Sequence, residues 1–219
     1  AELSSSQISQ LTAPQIGQLT ETAFSALSST QMAALSVTQI RGVTTTQIGA
    51  FTADDVAELT TTHIANLSAT QLSAFTTTNM TALSTTQLGA LSASQVGLLN
   101  ATNLSALDAN QIAALTSTQI GGLTTTQLRA LDSTDLAEVT ATQIGVLSRT
   151  QVGALAATQI SGLDAAQTAG LTSTQLVGLT AAQVGGLNET DIAELSTTQL
   201  AAFSAVQVGQ LSTTAFSAL

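Results

Sequence analysis

Three segments place an aspartate and a glutamate three residues apart: Asp55 with Glu58, Asp135 with Glu138, and Asp191 with Glu194. On a helix that spacing sets both carboxylates on one face. Such a pair can lend oxygens to a hard cation such as Ca²⁺, which collects roughly six to eight of them. The plainer reading is that each aspartate is favoured near a helix N-terminus by the dipole, while each glutamate is a solvated surface charge. None of the three pairs stands in a dense loop of carboxylates, so they are weak cation candidates, and chelators or Ca²⁺ should change the melting temperature little. His63 is the only histidine, and one imidazole supports neither a metal cluster nor a catalytic dyad. No Ser-His-Asp arrangement can be built repeatedly from it. The absence of cysteine removes disulfides and thiolate metal sites, and the glycines form no phosphate-binding loop. The sequence therefore predicts no enzyme, no cofactor and no metal centre.

What must position these residues is a repeat. Every eighth residue from Leu3 to Leu219 is apolar, and the consensus reads Leu-[Ser/Thr]-x-Thr-Gln-[Ile/Leu/Val]-[Gly/Ala]-[Ala/Gly]. Numbering the octad from its leading Leu, position one is Leu in 23 of 28 occurrences, with Val43, Phe51, Phe75, Val139 and Phe203 as the others. Position six is apolar in 26 of 27 octads, Thr168 being the departure. Position two is Ser, Thr, Asp or Asn in 26 of 27, Ala156 being the exception. Those four residue types share a short side-chain acceptor suited to the orphan N–H groups that open a helix. Gln stands three residues later in 19 of 27 octads. Ser/Thr-x-x-Gln is a capping box, in which Gln reaches back to the N-cap N–H, and the apolar residues that flank it complete a hydrophobic staple. His63 occupies the Gln position of its octad and reads as a variant capping residue.

The register predicts one helix of about seven residues per octad, starting at position two, with positions one and six on a common face. Pro14 falls at N2, inside the first turn where proline is tolerated. Gly and Ala at positions seven and eight could help the chain turn at a helix end or let neighbouring backbones approach closely. Helices this short are unstable alone, so stability must come from stacking, the logic of a solenoid. The expected fold is an all-α solenoid, a superhelix of short capped helices, over residues 1–219 as a single array of 27 octads. The alternative is a β-solenoid, favoured by runs such as Thr44-Thr45-Thr46. Against it, positions one and six would face opposite sides of a continuous strand, and the N-cap residue set has no rationale there.

The chain carries no Lys, only Arg41, Arg129 and Arg149 as cations, and a net charge of −10. That balance argues against nucleic acid, whose phosphates demand Lys and Arg. No apolar run reaches the length of a membrane span, and no basic targeting segment is present. Low charge with abundant Thr, Ser and Gln suits a secreted surface protein.

Segments such as Leu83-Ser-Thr-Thr-Gln-Leu-Gly-Ala and Leu115-Thr-Ser-Thr-Gln-Ile-Gly-Gly resemble the octapeptide arrays, of the type LTTTQIAAL, of very large secreted or surface-exposed bacterial proteins. The resemblance covers the whole chain. It implies an extracellular or cell-surface structural role, as a fibre, stalk or adhesin spacer, and supplies no catalytic residues. Identical faces invite self-association into filaments or homo-oligomers. The alternative function is a ligand-binding solenoid that recognises polysaccharide or ice through a regular Thr/Gln face. Ala23-Phe24-Ser25-Ala26-Leu27 recurs as Ala215-Phe216-Ser217-Ala218-Leu219, which marks Phe24 and Phe216 as candidate assembly contacts. Ala1 and Glu2 are positions seven and eight of an incomplete octad and Leu219 opens another. The expectation is a stretch of a longer array, or ends covered by neighbouring molecules.

Overall fold

A computed structural model of the chain describes residues 3–217. The terminal residues Ala1, Glu2, Ala218 and Leu219, on which the expectation about the ends rests, lie outside the described residues. Among the described residues there is no strand, and helix follows helix from Ser5–Ile8 to Thr213–Ser217. The chain is thus an all-α solenoid of octapeptide repeats, and the β-solenoid alternative falls.

Each helix has four to six residues, shorter than the seven expected. Position two is the N-cap, as the capping box predicts. Thr60, for example, is extended (φ −73°, ψ 160°), and its side chain accepts from the His63 N–H. Position one has also left the helix: Leu59 has φ −65° and ψ 129°, while its N–H still bonds the Val56 carbonyl at 3.2 Å. One octad is therefore a helical turn followed by two extended residues, and those two make a corner.

Two compact units make up the chain, Ala1–Ala114 and Leu115–Leu219. Within the first, helix Ala13–Gly17 packs on Val37–Ile40, and Ala53–Glu58 packs on Thr77–Ala82. Within the second, Ala141–Gly145 packs on Ala165–Gly170, and Arg149–Ala154 on Ser173–Leu176. In every case the partner is the third helix along. Three octads therefore complete one turn of the coil, a number the repeat itself did not specify.

Positions one and six fill the interior. Ile48, Val56, Met80 and Leu88 at position six are fully buried, and Leu59, Leu83 and Leu91 at position one nearly so. Phe24 and Phe51 stack with ring centroids 5.5 Å apart.

The glycines do not serve as left-handed helix ends, because none of the described glycines has a positive φ. Those at position eight serve close approach. A Cβ on Gly170 would stand 2.6 Å from the Ala141 carbonyl oxygen of the preceding turn, closer than a carbon can come. Of the two roles open to position eight, only the packing role is used.

Candidate functional site

The feature that recurs along the chain is the glutamine at position five. Its acceptor end does what the capping box predicts: the Thr44 N–H donates to Gln47 Oε1 at 2.8 Å, and the Gln47 N–H donates to Thr44 Oγ1 at 3.2 Å. Its donor end does something the sequence reading missed. Gln47 Nε2 donates to the Ile16 carbonyl at 3.0 Å and to the Leu19 carbonyl at 2.8 Å. Those carbonyls lie 31 and 28 residues earlier, on the previous turn. The same pair of bonds joins Gln87 to Val56 and Leu59 in the first unit. In the second unit it joins Gln175 to Ile144 and Leu147 and Gln183 to Val152 and Leu155. The position-one carbonyl sits in the extended corner with no helical partner, so it needs an external donor. Each clamp supplies one and welds two turns together.

Burial makes that bond necessary. From Gln31 onward the position-five glutamines are buried, apart from half-buried Gln95. An unpaired amide there would cost the full desolvation penalty. Glu, an equally good capping residue, never occurs at position five in 27 octads: it has the acceptor but no donor, and, being longer than Asp, it would carry a bare oxygen up to the carbonyls of the previous turn. Burial also removes glutamine from the regular Thr/Gln face considered for ligand binding. The exposed hydroxyls are those of positions two to four, as at Thr76, Thr77 and Thr78.

The substitutes at position five show how strict the demand is. Asn79 and Asn103 are one methylene shorter and reach only the position-one carbonyl, of Phe51 at 2.7 Å and of Phe75 at 2.6 Å respectively. His63 uses both ring nitrogens: Nδ1 accepts from the Thr60 N–H at 3.3 Å, and Nε2 meets the Leu35 carbonyl at 2.9 Å. The capping role read for His63 is present, and the inter-turn bond is added to it.

The aspartates have no N–H to offer. Asp55 Oδ2 instead accepts from Thr52 N, from Thr52 Oγ1 and, across the turn, from Ser25 Oγ at 3.0 Å. Ser25 stands 30 residues before Asp55, an offset that can be read from the sequence only once the turn length is known.

The i,i+3 partners are not the solvated charges expected. Glu58 and Glu194 are half-buried, and each has a buried Oε2 with no hydrogen-bond partner. Burial raises the Glu58 pKa, with the Asp55 and Asp54 charges adding to it. Asp135 and Asp191 are raised by burial as well, against the opposing hydrogen bonds from residues 132 and 188. Glu138 is half-buried like the others. Among the described residues no group of three His, Asp or Glu side chains is placed to hold a metal ion.

Asp191 and Thr168 line one small apolar cavity with Ile160 and Leu187. Both depart from the consensus, and both are smaller than the residue they replace, so the void is the sum of two truncations. Asp191→Gln is expected to raise stability at neutral pH by restoring the donor. Because the Asp191 pKa is raised, its contribution is present at low pH and is lost as the pH rises through the folded-state value. The gap between Asp191→Gln and wild type in urea denaturation should therefore narrow on acidification. A gap that widens would contradict the assignment.

The structure separates the two phenylalanines marked as assembly contacts. Phe24 is only 1% exposed and stacked on Phe51, so it belongs to the core and cannot meet a neighbouring molecule. Phe216 is 57% exposed. The arginines also tie turns together: Arg41 Nη2 donates to Asn66 Oδ1 at 3.0 Å, and Arg129 Nε to the Ala154 carbonyl at 2.7 Å. Arg149 Nη2 donates to the Val177 carbonyl at 3.1 Å. No helix among the described residues is long and apolar enough to cross a membrane.

Fold and clamp together define a tandem octapeptide-repeat protein whose turns are joined through buried side-chain amides. The family model described as "ALTTAQ repeat" matches residues 24–61, a stretch that contains Phe24, Gln31, Gln39, Gln47 and Asp55. No curated protein matches the chain.

Proposed function

We propose that the protein is structural: an extracellular or cell-surface fibre, stalk or adhesin spacer built to hold a shape rather than to turn over a substrate. The observation that carries this reading is the clamp. Nearly every octad from Gln31 onward invests its most polar buried side chain in joining one turn to the next, and among the described residues no octad is set apart as a reaction centre. A repeat protein whose stability is a sum of neighbour interfaces can be lengthened without redesign, which suits a spacer. The low charge and hydroxyl-rich surface suit self-association through faces that repeat at every turn.

Electron microscopy of the purified native material is the test. Fibres, stalks or laterally associated rods are expected. Discrete particles that remain monomeric in analytical ultracentrifugation at high concentration, and that bind a polysaccharide, would replace this reading with the ligand-binding one.

A further inference from the structure

His63 is the single position-five residue whose two ring nitrogens must play opposite parts. Nδ1 has to be bare to accept the Thr60 N–H, and Nε2 has to carry the proton to donate to the Leu35 carbonyl. Only one neutral tautomer satisfies both. The ring is 3% exposed, so water cannot take over either bond.

We propose that His63 is an acid-sensitive latch in the first unit: protonation at Nδ1 replaces an acceptor with a donor, sets N–H against N–H at Thr60, and breaks the capping bond at the start of helix Thr61–Ala65, while Nε2 keeps its proton for the Leu35 carbonyl. A glutamine in the same place cannot respond, because its amide does not titrate. The latch is thus a property of this one octad and does not depend on the structural role proposed above.

Two helices pack on Thr61–Ala65 from other turns, Val37–Ile40 and Thr85–Gly89. The charged group beside the first is Arg41, which is engaged with Asn66, and the second has none. The preceding helix, Ala53–Glu58, carries Asp54, Asp55 and Glu58, and the following one, Ala69–Ser73, has no charge. Burial lowers the His63 pKa below its ordinary 6.5, the Leu35 hydrogen bond opposes the fall, and no carboxylate or guanidinium contributes. The unfolded chain therefore takes up the proton first. The stabilising contribution is complete above about 6.5 and is lost as the pH falls from there toward the folded-state value.

The test compares the full chain with its His63→Gln variant, whose new residue is the one found at position five in 19 of 27 octads. The carboxylates are common to both proteins and cancel in the difference. The advantage of His63→Gln in the unfolding equilibrium should grow on acidification below pH 6.5, by up to about tenfold per pH unit. The protection factor of the Thr60 amide, which reads the latch locally, should fall in the same window in wild type alone. Nitrogen NMR should find Nδ1 unprotonated at pH 7.5. A stability gap that is constant from pH 7.5 to 4.5, or a proton on Nδ1 at pH 7.5, would overturn the proposal.

Discussion

Replacing Gln87 by Glu is expected to destabilise the first unit by upwards of about 3 kcal/mol, although the substitution is nearly isosteric and keeps the capping acceptor. Gln87 Oε1 accepts the Ser84 N–H at 2.8 Å, and a carboxylate could do the same. Nε2 is the end that matters. It donates to the Val56 and Leu59 carbonyls at 2.8 and 2.7 Å in a site where the side chain is 5% exposed. The carboxylate would turn a bare oxygen toward two carbonyl oxygens, lose both bonds and bury a charge. By contrast, Ser84→Ala removes only the cap and should cost about 1 kcal/mol. Acid should rescue the glutamate variant in part, because the carboxyl regains a donor when protonated. Its folded-state pKa will be raised, so stability present at low pH is lost as the pH climbs through that value. Chemical denaturation at pH 7 and pH 4.5 checks both statements. If Gln87→Glu cost no more than Ser84→Ala at pH 7, the clamp would not be what joins the turns.

The comparison of Gln with Glu also locates what the sequence could and could not disclose. Helix starts were legible because capping is local: Ser28, Thr44 and Asn188 each act on an N–H two or three residues away. The apolar character of positions one and six was legible for the same reason, since the staple spans one octad. The turn length was not, because nothing within eight residues encodes how sharply the two extended corner residues bend the chain. Once three octads per turn is known, departures from the consensus fall into pairs across turns. Asn79 stands opposite the Phe51 carbonyl and Asn103 opposite that of Phe75, while Asp55 stands opposite Ser25. Burial of Phe24 was legible from its place at position six, but its stacking partner Phe51 was not, because it lies in a later turn. The glutamates were misjudged as solvated because position eight, which looks like an exposed helix end in one octad, packs against the turn before it, as Gly170 does on Ala141.

Introducing a charge at a central position one is expected to be still more damaging than losing a clamp. Leu83 is 4% exposed, and its side chain is one of the residues that fill the space between turns. The Leu83 N–H bonds the Met80 carbonyl at 3.2 Å, and its own carbonyl accepts from Gln111 Nε2 at 2.7 Å. Neither bond requires a particular side chain at residue 83, so substitution there isolates the cost of what is placed in the core. Leu83→Ala should cost about 2–5 kcal/mol through lost burial and the cavity left behind. Leu83→Asp should exceed it, at about 5 kcal/mol or more, because no donor in that apolar interior can compensate a carboxylate. Ser84→Ala, one residue along the chain, again provides the scale of a purely local loss. The expected order of destabilisation at pH 7 is therefore Leu83→Asp, then Leu83→Ala, then Ser84→Ala, read from denaturation midpoints with a probe in the first unit. Because each helix packs on its third neighbours, the aspartate should loosen Ala53–Glu58, Thr77–Ala82 and Ala101–Ser105 together, visible as joint loss of amide protection. Equal and small effects for all three variants would mean that position one does not face the interior, and the stacked coil would have to be abandoned.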